Sequence, residues 1–206
     1  MESTDELYIG YSAPDFTAMT YFQDDFKKIT LSEMRGKYVV LFFYPLDFTF
    51  VCPTEILAFS ERTEDLKELD CELLGCSIDS HFVHARWCQT SKKEGGIGEV
   101  KMPLIADVSK DVAKKYRCLV KKGDDKGVAL RATFIIDDKG VLRHMSYNDL
   151  PVGRNVDETV RLVKAFKYSD EFGEVCPSKW KKKGDKAMKP SHKEKQTQEY
   201  WNESHK

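Results

Sequence analysis

The apolar pattern of the chain is densest between Lys37 and Phe59. Lys37 to Tyr44 is an almost unbroken β-branched and aromatic run, which predicts a strand covered on both faces of a mixed or parallel sheet. Pro45 ends that strand. Pro53 suits the first turn of a helix, where its missing N–H goes unused. Ile56, Leu57 and Phe59, continued by Leu66 and Leu69, give this helix an apolar stripe. Cys71 to Ile78, through Leu73, Leu74, Cys76 and Ile78, predicts a second buried strand. Strand, helix and strand in this order imply a right-handed parallel crossover.

Elsewhere the periods are shorter. Phe16 to Thr30 reads as short strands around a polar turn at Gln23-Asp24-Asp25, with Ser32 capping a helical turn after them. His81 to Lys93 predicts a helix stopped by Gly95-Gly96. Pro103 to Ala106 reads as a strand, and Ser109 as the cap of a helix reaching Tyr116. Val128 to Ile136 and Val141 to Tyr147 predict a hairpin about Asp137-Asp138-Lys139-Gly140. A last helix starts at Asn155 or Asp157 and turns Val160, Leu162, Val163 and Phe166 inward. Lys179 to Lys206, rich in Lys, Glu, Ser and Gln, reads as a solvated arm. The division expected is therefore a domain over residues 1–172 and an arm over 173–206.

Composition narrows the function more than it widens it. The 206 residues carry 33 basic and 34 acidic side chains, a formal charge of -1, so nothing draws the whole chain to nucleic acid or to an anionic membrane. Met1 to Gly10 has no basic and apolar leader pattern, and no stretch reaches the length of a membrane span, which predicts a cytoplasmic protein. The cysteines at 52, 71, 76, 88, 118 and 176 form no Cys-x-x-Cys pair, against a zinc ribbon or a secreted disulfide scaffold. The five histidines, at 81, 84, 144, 192 and 205, form no metal-binding pair, and no cofactor is expected.

Cys52 is the candidate for chemistry. It falls at a predicted helix N-terminus, where unpaired N–H groups and the helix dipole favour a thiolate, the reactive form of cysteine. Thr49, three residues earlier, can present a hydroxyl to the same ligand. The alternative is a buried structural thiol, which the strand, turn, Thr-x-x-Cys and helix together make the weaker choice. Arg131, taken alone, reads more readily as a surface charge on a strand than as a catalytic group, and Glu55 with Arg154 as an ordinary ion pair.

Pro45, Thr49 and Cys52 reproduce the Pro-x-x-x-Thr-x-x-Cys signature of the peroxiredoxins, and Phe43 to Glu55 resembles the typical two-cysteine subfamily. The likeness continues through Asp79 to Phe82, Gly95 to Gly98, Arg131, Asp149 to Arg154 and Gly173 to Pro177, covering essentially the whole chain. It implies an α/β thioredoxin-like fold with the peroxiredoxin N-terminal extension and a C-terminal arm. It also implies an antioxidant thiol peroxidase. Cys52 attacks a hydroperoxide and becomes a sulfenic acid, Thr49, Pro45 and Arg131 form its site, and Glu55 and Arg154 support the arginine. Cys176 matches the resolving cysteine, which in this subfamily comes from the partner chain of a homodimer, with thioredoxin as reductant and five dimers forming a decamer.

Two further stretches bear on regulation by the same resemblance. Gly95, Gly96 and Gly98 match, with Ile97 as the one departure, a Gly-Gly-Leu-Gly loop. Tyr200 and Trp201 stand where oxidation-sensitive members carry Tyr-Phe. These imply overoxidation to sulfinic acid and repair by sulfiredoxin. A second class of function open to the same residues is a holdase chaperone triggered by overoxidation, or a redox relay to a bound protein.

Overall fold

The computed structural model describes residues 7–204, which form two compact units, one ending at Val156 and the other starting at Asp157. Residues 1–6, within the stretch read for a leader, and His205 lie outside the described residues.

The first unit is built on a mixed sheet of seven strands: β1 (Thr17–Phe22), β2 (Asp25–Thr30), β3 (Tyr38–Phe43), β4 (Cys71–Ser77), β5 (Leu104–Ala106), β6 (Arg131–Ile136) and β7 (Leu142–Asn148), in the order β2-β1-β5-β4-β3-β6-β7. The β3, β4 and β5 strands run parallel, as the crossover pattern requires, and β6 lies antiparallel to β3 with Phe42 opposite Thr133. All six residues of β3 and of β6 are buried, the mark of strands covered on both faces. Alternation divides β3 cleanly. Val39, Leu41 and Phe43 join a core with Leu74, Ile105, Phe134 and Tyr116, while Phe42, of opposite parity, stacks on Phe59 with ring centroids 4.0 Å apart.

Helices α1 (Cys52–Glu61), α2 (Thr63–Lys67), α3 (His81–Gln89) and α4 (Asp111–Lys115) complete this unit. They depart from the sequence expectation at three places, each through a side chain bonded to backbone. The stripe expected to run unbroken from Ile56 to Leu69 is split at Arg62, where the chain closes a tighter turn onto Phe59 and the Thr63 hydroxyl donates to the Phe59 carbonyl. Leu66 is buried on α2 instead, and Leu69 lies beyond it. Helix α3 stops at Gln89, short of Lys93, because Thr90 is extended and its hydroxyl occupies the Arg86 carbonyl at 2.7 Å. A separate short turn then reaches Gly95, whose φ of 84° suits glycine. At α4 the Ser109 hydroxyl accepts the Asp111 N–H at 3.4 Å, as expected, and Asp107 adds a second cap, its buried carboxylate accepting the N–H groups of Val112 and Ala113 at 3.1 and 2.7 Å. Ser32 is no cap. It lies inside its turn and donates its N–H to Asp15 from 17 residues away.

The second unit holds most of α5 (Val156–Phe172) and α6 (Lys195–Ser204), linked by an extended segment in which Val175 and Met188 exchange two backbone hydrogen bonds. Val160 and Val163 are buried on α5. Trp180, expected in a solvated run, is buried, with its ring 5.2 Å from Tyr168 and its carbonyl accepting from Arg161. Its lysine neighbours stay exposed. A large indole wins over the charge of its surroundings because hiding it removes so much apolar surface from water.

Phe42→Ala removes one ring of the Phe42–Phe59 stack from a fully buried site. We expect it to lower unfolding stability by about 3–5 kcal/mol, read as a shifted urea midpoint at unchanged slope.

Candidate active site

Cys52 is the first residue of α1, entered directly from the segment that leaves β3, and it has no exposed surface. The first N–H groups of a helix have no intrahelical acceptor, so the positive helix end lies at the sulfur's residue. Val51 provides the entry. Its carbonyl accepts from the Thr54 and Glu55 amides at 3.0 and 3.3 Å and from the Thr54 hydroxyl at 2.7 Å.

Arg131 opens β6, the antiparallel neighbour of β3, and this pairing brings the guanidinium to the start of α1 from 79 residues away. Its Nη1 donates to Cys52 Sγ at 3.3 Å and to Glu55 Oε2 at 2.7 Å, while Nε donates to the Leu150 carbonyl at 2.7 Å. Glu55 follows Cys52 by three residues, which places both on one face of α1. The other side of Glu55 is held by Arg154, whose backbone N–H and Nε reach Oε1 at 2.7 and 2.8 Å and whose Nη2 reaches Oε2 at 3.0 Å. Arg154 Nη1 also donates to the carbonyls of Phe43 and Ala132 at 2.8 and 2.7 Å, and its guanidinium carbon stands 5.2 Å from the centre of the Phe42 ring.

The side chains of Arg131, Glu55 and Arg154 are only 5%, 2% and 5% exposed. Two cations and one anion leave a net positive charge beside the sulfur, which a Cys52 thiolate would bring to zero. Burial works to raise the Glu55 carboxyl, but the hydrogen bonds and charge of Arg154, with that of Arg131, hold it below its usual range. For Arg131 burial opposes the charged form, and the Cys52 hydrogen bond with the charges of Cys52 and Glu55 outweighs it, raising the guanidinium. Burial lowers Arg154 against the pull of Glu55, yet a guanidinium starts so high that it remains a cation.

Pro45 is buried, and the hydroxyl of the half-buried Thr49 donates to the Leu46 carbonyl at 3.0 Å. Between them Phe48 has a φ of 54°, a left-handed conformation costing a non-glycine residue about 1–2 kcal/mol. Gly95 accepts from the Trp87 indole at 3.0 Å, and Gly96 bonds Ser91 at 2.9 Å where any Cβ would meet the Thr90 carbonyl. Gly98 has a φ of 67°. In the second unit the half-buried Cys176 directs its thiol to the Ala165 carbonyl at 3.6 Å, and burial raises that thiol. Tyr200 and Trp201 lie on α6, with the Trp201 ring 5.4 Å from His192. Cys71, Cys76, Cys88 and Cys118 are buried. Burial pushes Cys88 up to about 12 and Cys76 and Cys118 well up, as suits core thiols.

Sequence reasoning missed Asp47, buried in the same segment, and its partner His84. The signal was available, since Asp47 is the one charged residue between Leu41 and Thr54. It missed the backbone acceptors Leu150, Phe43 and Ala132 altogether, because carbonyls carry no sequence signature. Among the described residues no helix is long and apolar enough to cross a membrane.

Since Glu55 is held below its ordinary value, the stability it supplies is complete above the unfolded glutamate range and is lost as pH falls through the lower folded value. Glu55→Gln, which leaves two buried guanidiniums facing a neutral amide, is expected to cost on the order of 3 kcal/mol at neutral pH. Denaturant melts should show this gap shrinking once pH drops below about 4.3 and closing at lower pH.

The chain resembles known proteins along most of its length. The AhpC/TSA family matches residues 9–145, and the C-terminal domain of 1-Cys peroxiredoxin matches residues 165–203. Peroxiredoxin-2 of Mus musculus is 58% identical over 183 residues, covering 89% of this chain and 90% of the relative. Peroxiredoxin-1 of Gallus gallus is 54% identical over 189 residues, covering 91% and 93%. Among solved structures, the reduced 2-Cys peroxiredoxin of Plasmodium vivax matches with a TM-score of 0.85 at 43% identity, covering 90% of this chain and 95% of that one.

Proposed function

The chain belongs to the AhpC/TSA family and is a peroxiredoxin, a thiol peroxidase, and from that premise we propose that Cys52 is its peroxide-reducing sulfur, with Arg131, Thr49 and Pro45 completing the site. The observation that carries the assignment is the Arg131 guanidinium, bonded at once to Cys52 Sγ and to the carboxylate that fixes its orientation. The Cys52 thiolate attacks the nearer peroxide oxygen. An S–O bond forms as the O–O bond breaks, two electrons pass from sulfur to the peroxide, and the departing oxygen takes a proton to leave as water or an alcohol. Negative charge grows on that oxygen, and a cation fixed beforehand lowers the barrier without having to reorganise. Thr49 offers its hydroxyl to the bound peroxide, Pro45 shields the thiolate, and Glu55 with Arg154 keeps Arg131 in position.

Cys176 of a second copy then attacks the Cys52 sulfenic sulfur, forming the disulfide and releasing the oxygen as water. The functional unit is a homodimer, joined with four others in a decamer, and thioredoxin reduces the disulfide in the cytoplasm. Gly95, Gly96 and Gly98 with Tyr200 and Trp201 set how readily Cys52 is overoxidised, and sulfiredoxin repairs the sulfinic acid.

Peroxide added to the reduced protein, with thiol loss followed in time and products weighed without reductant, tests the scheme. We expect fast oxidation and a covalent dimer in the wild type, a monomer trapped as sulfenic acid in Cys176→Ser, and no fast phase in Cys52→Ser. Arg131→Gln should slow the fast phase by about 10²–10³-fold. A Cys52 that reacts no faster than a free thiol would overturn the assignment.

A further inference from the structure

Three elements, α3, β4 and β5, contribute to a network around Asp47, five residues before Cys52. Its carboxylate accepts the Tyr44 hydroxyl at 2.8 Å and meets His84 Nδ1, on α3, at 2.7 Å. Its backbone N–H donates to Asp79 Oδ2 at 3.0 Å, and Asp79 is fixed in turn by the Ser77 hydroxyl from β4 at 2.7 Å. His84 is fully buried, and its Nε2 stands 3.1 Å from the Ile105 carbonyl oxygen on β5. None of this network enters the peroxide chemistry described above.

Hydrogen-bond inventory fixes the protons. A carbonyl only accepts, so His84 Nε2 carries a hydrogen. Nδ1 then faces a carboxylate oxygen at 2.7 Å, and the contact is a bond only if one proton lies between them. Whether that proton sits on nitrogen or oxygen, the pair has no net charge, which makes its complete burial tolerable. The residue that follows Asp47 is the left-handed Phe48, and Thr49 comes next. A strained turn persists only where its surroundings hold it: the Phe48 ring lies 6.0 Å from that of Trp87, Thr49 bonds back to the Leu46 carbonyl, and Asp47 anchors the turn on its buried side.

We propose that Asp47 and His84 are a positioning pair for peroxide reduction: sharing one proton, they hold the Phe48 turn and thereby set where Thr49 and Cys52 stand when the peroxide arrives. This rests on the reading of Cys52 and Thr49 as the peroxide site. Asp47→Asn separates position from charge. Its amide N–H can donate to Nδ1 of a neutral His84 while its oxygen still accepts from Tyr44, so both side-chain bonds survive without a shared proton. Asp47→Ala removes both, and His84→Gln removes the partner.

Two rates at Cys52 are to be read in the reduced full-length protein by mass analysis of its peptide: oxidation by hydrogen peroxide, which needs the substrate geometry, and alkylation by iodoacetamide, which needs only the sulfur. We expect Asp47→Ala and His84→Gln to slow oxidation by about 10²-fold, the scale of a 1 Å misplacement, with alkylation at the wild-type rate, and Asp47→Asn to recover most of the loss. Near-ultraviolet dichroism checks folding. If Asp47→Ala fails to fold, the comparison of His84→Gln with Asp47→Asn decides. Wild-type oxidation in folded His84→Gln, or an equal fall of both rates in it, overturns the proposal. A wild type that oxidises no faster than a free thiol overturns the reading of Cys52 itself.

Discussion

The geometry around Cys52 depends on one buried arrangement, a glutamate carboxylate gripped by two arginines. Removing charges from water is costly, and their mutual attraction repays it only when the remaining donors also find acceptors. Here they do. Arg131 spends its free Nε on the Leu150 carbonyl, and Arg154 spends Nη1 on the carbonyls of Phe43 and Ala132. The start of α1, the end of β3, the start of β6 and the loop before α5 are thus tied at one point. Such a network adds less to stability than apolar packing of the same volume would. What it provides is a fixed cation at the sulfur.

Two strands lead to the start of α1 by different means. From β6 comes a full charge at the sulfur, directed by Glu55. From β3 comes a backbone turn that a non-glycine residue adopts only under constraint, followed by Thr49, whose hydroxyl turns back to the Leu46 carbonyl. The charge is maintained by ion pairing, the turn by hydrogen bonds that end in a neutral pair. Both rest on interior strands of the sheet, where burial on two faces leaves least freedom to drift.

The second unit is ordered by smaller forces. One two-bond bridge, Val175 with Met188, and the burial of Trp180 against Tyr168 fix the segment carrying Cys176. Its charged groups are mostly exposed pairs, such as Lys183 with Glu171, which contribute little in water. A segment held by few buried contacts opens at lower free energy than the core strands do.

Local pattern alone determined a great deal. The run from Lys37 to Tyr44, ended by Pro45 and followed by Pro53, sufficed for the strand, the turn and a helix starting at Cys52, because hydrophobic period and proline geometry act within a few residues. The parallel crossover and the hairpin about Gly140 followed from the same rules, and the motif about Cys52 sufficed for the family. Tertiary structure decided whatever depends on partners distant in sequence. The split of α1 from α2, the early end of α3 and the Asp107 cap turn on which carbonyl or amide a single side chain finds. Arg131 could be read as a surface charge until the pairing of β6 with β3 carried it to the sulfur. Asp47 and His84, 37 residues apart, acquire meaning only when α3 and β5 enclose them, since a hydrogen bond is set by separation in space and leaves no periodic trace along the chain.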